Sequence, residues 1–279
     1  MLRLNLTAIA ASAWKSLKSL VFRDVIVFPV LGFTGVICLW WAVAIWRHEL
    51  MPTPLEAFNA NLDYILNPFF QRGPGNLGIG WLLIASLSRV SIGFGLGALV
   101  AIPLGFLIGM SRSAMLAINP IIQILKPVSP LAWLPIALAI FNLAEPSAIF
   151  VIFITSLWPT IINTALGVSS VPKDYLEVAR VLEMPRWRTI TKIILPASLP
   201  YIFAGLRISL GIAWLVIVAV EMLTGGIGIG FFIWDEWSRL NLSSVFLAVL
   251  VIGVTGLVLD YLLSVIQILV TRRPPVSIN

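Results

Sequence analysis

The sequence is short of charge, cysteine and histidine, and each shortage closes off a class of function. Only 11% of the 279 residues are charged, while 59% are hydrophobic. A soluble domain covers its surface with polar side chains, and this chain holds too few of them. The single cysteine, Cys38, lies inside an apolar run, which excludes an intrachain disulfide and a cysteine-cluster metal site. His48 is likewise the only histidine, so the usual zinc sites have no ligand set. No lysine follows a glycine, so there is no Walker A loop, and ATP has to be handled by another polypeptide. The net charge of +6 does not point to nucleic acid, because the basic residues form no run interleaved with aromatics.

What the chain has in abundance is apolar runs of about 20 residues, the length that crosses a bilayer. Six are expected to span: Val25–Trp46, Trp81–Met110, Ala114–Phe141, Pro146–Val168, Pro200–Leu223 and Val245–Val270. The third carries Pro120, Pro127, Pro130 and Pro135 and is expected to be broken. With the N-terminus inside, the inner segments hold Arg3, Lys15, Lys18, Arg23, Arg112, Lys173, Arg180, Arg186, Arg188, Lys192, Arg272 and Arg273. The outer segments hold only Arg47, Arg72 and Arg239, with acidic Glu49, Glu56, Asp63, Glu145, Asp235 and Glu236. That asymmetry places both termini in the cytoplasm. The fold class is therefore all-α and polytopic, with a transmembrane domain over 25–273 and a tail over 274–279. Segment 1–24 is too interrupted by charge for a signal peptide. Trp14, Leu17 and Val21 recur at helical spacing beside Lys15 and Lys18, which predicts an amphipathic helix lying on cytoplasmic membrane lipid.

Gly93, Gly97, Ala101, Gly105 and Gly109 fall at four-residue intervals, a stripe that lets another helix approach closely. Gly225, Gly226, Gly228 and Gly230 lack the strand and lysine of a phosphate loop and read as a flexible outer turn or gate.

One stretch does not suit the membrane. Ser169–Pro196 reads SSVPKDYLEVARVLEMPRWRTITKIILP. Ser169 or Ser170 can cap a helix, Pro172 suits its first turn, and Asp174 favours the positive end of its dipole. Tyr175, Val178, Ala179 and Leu182 make an apolar stripe, Pro185 ends the helix, and Arg186–Leu195 is expected to form a second short helix. Such an elbow, apolar on one face, is a docking surface.

The elbow resembles the EAA motif of ABC-transporter importer permeases, through Glu177, Val178 and Ala179 followed by Ile193, Leu195 and Pro196. Glu183 stands where that family usually has glycine. KPVSPLAWLPI (Lys126–Ile136), AIFVIFITSLWPTIINTALGV (Ala148–Val168) and GIGFFIWDEW (Gly228–Trp237) extend the likeness to the nitrate, bicarbonate and sulfonate/taurine branch. It is strongest to the cyanobacterial-type nitrate permease, with bicarbonate an open competitor. The resemblance implies a type I ABC importer permease, a non-catalytic subunit of the plasma (cell inner) membrane that binds no cofactor itself. It further implies a second permease copy as a homodimer, two cytoplasmic ATPase subunits that bind ATP-Mg, and an extracytoplasmic solute-binding protein. Asp174, Tyr175, Glu177, Val178, Ala179, Arg180, Leu182, Glu183, Ile193, Leu195 and Pro196 are the coupling residues it implies.

Ionisable groups at membrane depth default to functional hypotheses, and five qualify. Lys126, among the prolines, is placed near an anion route or else snorkels to the interface. Arg89 either attracts anions from outside or pairs with Glu221, the more economical arrangement for buried charge; Lys126, Arg89 and Glu221 are the candidate anion pathway. Arg207 is placed near the cytoplasmic end of its helix, and Asp260 has no evident partner. Two other classes compete: an ion-gradient transporter, which needs no cytoplasmic docking helix, and a membrane-embedded enzyme, which needs clustered His, Asp or Glu.

Overall fold

The computed structural model describes residues 27–47, 51–73 and 75–271. The amphipathic segment 1–24 and the tail 274–279 lie outside these residues. The described residues are helical apart from turns and one isolated antiparallel bridge between Gln71 and Leu77. They fall into two units, Met1–Leu62 and Asp63–Asn279.

In the first unit, α1 (Phe28–Trp46) is an apolar, uncharged helix of 19 residues, long enough for a bilayer core. From within it, Trp40 Nε1 donates to Pro52 O, beyond its end, at 3.1 Å. Thr53 then starts α2 (Pro54–Ala60) with a capping box: its hydroxyl accepts from Glu56 N–H, and the Glu56 carboxylate accepts from Thr53 N–H at 2.8 Å.

The second unit follows from α3 (Leu62–Leu66) through α4 (Ile79–Met110), α5 (Arg112–Leu125), α6 (Trp133–Phe141) and α7 (Ala144–Ser169). It continues with α8 (Lys173–Val181), α9 (Arg186–Thr224), α10 (Ile229–Ser238) and α11 (Leu242–Thr271). The glycine stripe of α4 is the seam on which it is built. A Cβ at Gly93 would stand 2.7 Å from Ile152 Cβ, and one at Gly109 would stand 2.7 Å from Val168 Cβ. Gly97 meets Ser156, Gly105 meets Thr164, and Ala101 between them is fully buried. Without side chains in the way, α4 lies directly on α7.

The seam also settles topology. As α4 advances through Gly93, Gly97, Gly105 and Gly109, its partner advances through Ile152, Ser156, Thr164 and Val168, so the two helices run parallel in fixed register. The chain between them must therefore return across the full height of the bundle. That return is α5 and α6, bent by 94° at their junction. Length and composition leave such a pair as a broken span or a re-entrant loop. The parallel register makes it a span, and with α1, α4, α7, α9 and α11 it makes six among the described residues.

The break is narrower than four prolines suggest. Pro120 sits within α5 and Pro135 in the first turn of α6, where no helical N–H is lost. The chain leaves the helix only between Lys126 and Ser129, before a 3₁₀ turn at Pro130–Ala132. Ile122 packs with Ala101, Ile108, Leu157, Ile161 and Ala165 in one core, whereas Leu134 and Ala137 belong to a second core with Val90, Val151 and Ile152. The break thus falls between the two cores, at mid-height.

α9 corrects a sequence expectation. Instead of a short helix over Arg186–Leu195 and a separate span from Pro200, one helix runs 39 residues from Arg186 to Thr224. A π turn at Ile190–Ile194 joins the parts, with Leu195 N–H bonded to Ile190 O. The next residue, Pro196, has no N–H to give, so the register slips where the ladder lacks a donor. α9 runs antiparallel to α7: Gly167 faces Tyr201 and Ser198, Gly205 faces Asn163 and Thr160, and Thr160 Oγ1 lies 2.8 Å from Ser209 Oγ.

Gly105→Leu is expected to lower the thermal midpoint of the detergent-solubilised protein, by overpacking worth about 1–3 kcal/mol. Gly95→Leu on the same helix, where a Cβ meets nothing within 4 Å, is expected to leave the midpoint unchanged. Equal effects of the two would contradict the seam.

Candidate functional site

The elbow is built by two helix ends. Ser169 and Ser170 donate their hydroxyls to Leu166 O at 3.0 and 2.7 Å, so they close α7 and do not cap the next helix as expected. Pro172 occupies the N-cap of α8, and no side chain caps it. Asp174 stands in the first turn and Arg180 in the last, both complementing the helix dipole. Leu176, together with Ile190 and Ile193, packs against Val168, Val171 and Ile194, which fastens α8 to the end of α7 and the base of α9. Ala179 is 2% exposed and joins this inner face.

The other face is uncovered. Tyr175 and Val178 are each 56% exposed, Leu182 66% and Val181 81%. The stripe read from the sequence is therefore divided, with small Ala179 turned in and the larger residues turned out. Glu177, Arg180, Glu183 and Pro196 are exposed beside it, and Ile193 and Leu195 are half-buried.

Glu183 keeps the backbone that a glycine would adopt. Its φ is +49°, its N–H bonds Arg180 O at 3.0 Å, and Met184 N–H bonds Ala179 O at 2.9 Å. These two bonds make a Schellman ending for α8, in which the left-handed residue is usually glycine. The turn geometry is retained, at a cost of roughly 1–2 kcal/mol for a residue with a Cβ.

Two groups of polar side chains lie at mid-height. Lys126 ends α5 at the break, exposed on this chain, with no ion pair or hydrogen bond to its side chain among the described residues. Just beyond the break, Trp133 Nε1 is buried without a hydrogen-bond partner. On another side of the bundle Arg207 Nε lies 3.1 Å from Asp260 Oδ1, and Arg207 Nη2 donates to Ser264 Oγ at 2.6 Å. Because α9 starts at Arg186, Arg207 sits level with the middle of α7, not near the helix end as expected.

The third cluster closes the end of the bundle opposite the elbow. Arg89 Nη1 donates to Glu221 Oε1 at 2.8 Å and to Ile227 O at 2.6 Å. Glu221 Oε2 accepts from Ser86 Oγ at 2.8 Å and from Gly230 N–H at 3.0 Å, and Ser86 Oγ accepts from Ile229 N–H at 3.0 Å. Glu221 is 2% exposed. The first two amides of α10 are thereby satisfied, and a carboxylate stands at the positive end of its dipole. The glycines here are not simply flexible: Gly225 and Gly226 turn the chain with φ of +75° and +95°, while a Cβ at Gly228 would collide with the Glu221 carboxylate. Nearby, Tyr64 packs edge-on to Phe232 at 5.2 Å, and burial, aided by Glu236, pushes its phenol above the ordinary value. Of the three residues read as an anion route, Arg89 and Glu221 meet, and Lys126 lies apart at the break.

Residues 101–274 match the family described as "Binding-protein-dependent transport system inner membrane component". The chain belongs to this family. As a member, it is 43% identical over 256 residues to the nitrate import permease protein NrtB of Synechocystis sp., covering 92% of this chain and 93% of that one. It is 44% identical over 253 residues to the bicarbonate transport system permease protein CmpB of Synechococcus elongatus, covering 90% and 91%. Among solved structures, its fold is similar to a chain of a bacterial alginate ABC transporter in complex with its alginate pentasaccharide-bound periplasmic protein. The TM-score is 0.58 at 17% identity, over 94% of this chain and 99% of that one. A chain of the inward-facing MetNI methionine ABC transporter gives 0.55 at 16%, over 70% and 96%. The permease is thus a multi-pass membrane protein with the fold of type I ABC importer permeases.

The Arg207–Asp260 pair was not legible beforehand. The two residues lie on different helices, and no local periodicity ties them; the only signal was that each was a lone charge in an apolar run.

A double-mutant cycle on Arg89→Gln and Glu221→Gln is expected to show strong coupling, because Arg89→Gln alone strands the buried Glu221 carboxylate, at about 3–5 kcal/mol, and the double variant does not. Additive changes in thermal midpoint would contradict the pairing. Glu183→Gly is expected to raise the midpoint and Glu183→Val to lower it, since only glycine adopts positive φ freely.

Proposed function

We propose that this chain is the membrane-spanning permease subunit of an ATP-driven importer for nitrate, and for nitrite with it. One observation carries the ATP-driven part: an elbow whose inner face is fastened to α7 and α9 while its outer face exposes Tyr175, Val178, Val181 and Leu182. Exposed apolar surface of this kind is a docking site, and the occupant is a cytoplasmic ATPase subunit. Glu177, Arg180 and Leu182 lie on the docking side; Ile193 anchors it from α9, with half-buried Leu195 two residues further on. An ion-gradient transporter has no use for such a surface. The elbow faces the cytoplasm, as do both termini, on the strength of the loop-charge asymmetry.

The assembly is a permease homodimer with two ATPase subunits and an extracytoplasmic solute-binding protein. This chain is non-catalytic, and ATP-Mg is bound by the partner subunits. ATP binding and release there drive a two-state, rigid-body change between access to the two sides.

Nitrate is favoured by the relatedness to nitrate import permeases over nine-tenths of the chain. Bicarbonate is the second reading, because a bicarbonate permease is as similar. For either anion the route passes the break in the third span, where, among the described residues, Lys126 carries a positive charge with no partner and Trp133 Nε1 is an unused donor. Broken helices present polarised ends at mid-membrane, and such ends favour anions.

Labelled nitrate, bicarbonate and taurine uptake by a strain lacking this chain, with and without complementation, tests the substrate. Restoration of nitrate uptake alone is expected; restoration of bicarbonate or taurine uptake instead would overturn the nitrate reading. Lys126→Gln is expected to reduce uptake and Lys126→Arg to retain most of it at equal protein levels. Full uptake in both variants would remove Lys126 from the route.

A further inference from the structure

The third cluster lies where the longest helix finishes. α9 begins in the elbow at Arg186 and carries Glu221, roughly 50 Å further along at 1.5 Å per residue, to the opposite end of the bundle. There a single carboxylate holds two other helices: α4 through Arg89 and Ser86, and α10 through Gly230 N–H. A sliding of α9 along α7, on which it packs through Gly167 and Gly205, cannot keep both sets of bonds, because α4 is held in register on α7 by its glycine seam. The α10 side is the firmer of the two. Gly230 packs on Val218 O and on Glu221 itself, so α10 travels with α9.

The α4 side is furnished for release. Ser86 Oγ already lies 3.2 Å from Leu82 O, an acceptor on its own helix to which the hydroxyl can donate once Glu221 withdraws. Arg89 has a second carboxylate in reach: its Nη2 lies 3.9 Å from Glu145 Oε2, in the first turn of α7. Glu145 is 66% exposed, whereas Glu221 is buried at 2%. Withdrawal of Glu221 therefore leaves Arg89 paired with an exposed carboxylate on the α7 side, so the arginine is not stranded, while Glu221 keeps the amide of Gly230.

We propose that Arg89 is a partner-switching residue of the transport cycle, held by Glu221 in the state described here and by Glu145 when α9 and α10 move away. Elbow and switch are the two ends of one helix, and movement at the first is read at the second as an exchange of carboxylates. Arg89, Glu145 and Glu221 are positioning residues: they set α10 and need not touch the transported anion. The proposal rests on the reading that the elbow docks an ATPase.

The test uses the assembled transporter in vesicles, with uptake, ATP hydrolysis and thermal midpoint measured on the same preparations. Glu145→Gln removes the second partner and is expected to lower uptake and ATP hydrolysis together by roughly fivefold or more, the low end of an allosteric coupling. The midpoint is expected to stay constant, and Glu145→Asp to restore activity. Glu221→Gln weakens the first partner and is expected to shift hydrolysis the other way, raising it in the absence of the solute-binding protein. The proposal is overturned if Glu145→Gln behaves as the parent, if its activity falls only with its midpoint, or if both variants move hydrolysis in one direction. Failure of the elbow reading has a different signature, loss of the ATPase subunit from the purified parent complex.

Discussion

Everything in the larger unit depends on two backbones being allowed to touch. Within a bilayer no hydrophobic effect presses helices together, so association has to come from close packing and from polar contacts. Residues without side chains at Gly93, Gly97, Gly105 and Gly109 supply the first along the α4–α7 seam. The parallel register that results forces the chain between them back across the bundle. The bent third span, the elbow at one end and the glycine turn at the other follow from that one contact.

α9 occupies the complementary face of α7 in the opposite direction, and here the contacts are polar: Ser209 Oγ donates to Ser156 O at 2.6 Å beside Thr160. Charges in the spans are handled in two ways. Arg89 with Glu221, and Arg207 with Asp260, neutralise each other across helices, as ionised groups at this depth must. Lys126 is left without such a partner among the described residues, at the one place where the helix is interrupted. That contrast separates the charges that hold the bundle from one that has no counter-ion among the described residues.

Much of this was readable from the residues. Apolar runs of spanning length, a four-residue glycine period and an amphipathic stretch rich in Lys and Arg are local signals, and each marks a real element. Pairing of Arg89 with Glu221 followed from the cost of burying charge. What stayed hidden was non-local or competitive. Proline reads as a breaker, yet Pro120 is carried inside α5 and Pro196 follows a π turn, so the breaks could not be placed among many prolines. Ser169 and Ser170 looked like caps for the helix ahead, but the nearer acceptor, Leu166 O, lay behind them. Arg207 is close to a helix end only in a span that begins at Pro200, and its helix begins at Arg186.

The central claim is that the uncovered face of α8 is the side on which a separate motor sits. Val181, 81% exposed at the tip of that face, reports on it directly once Cys38 is replaced. A cysteine placed at Val181 in a Cys38→Ser background can be reacted with a membrane-impermeant maleimide in sealed vesicles of either orientation. Labelling from the cytoplasmic face alone, and protection of that cysteine when the ATPase subunits are bound, is the predicted result. Labelling from the opposite face, or equal labelling with and without the ATPase subunits, would contradict the account.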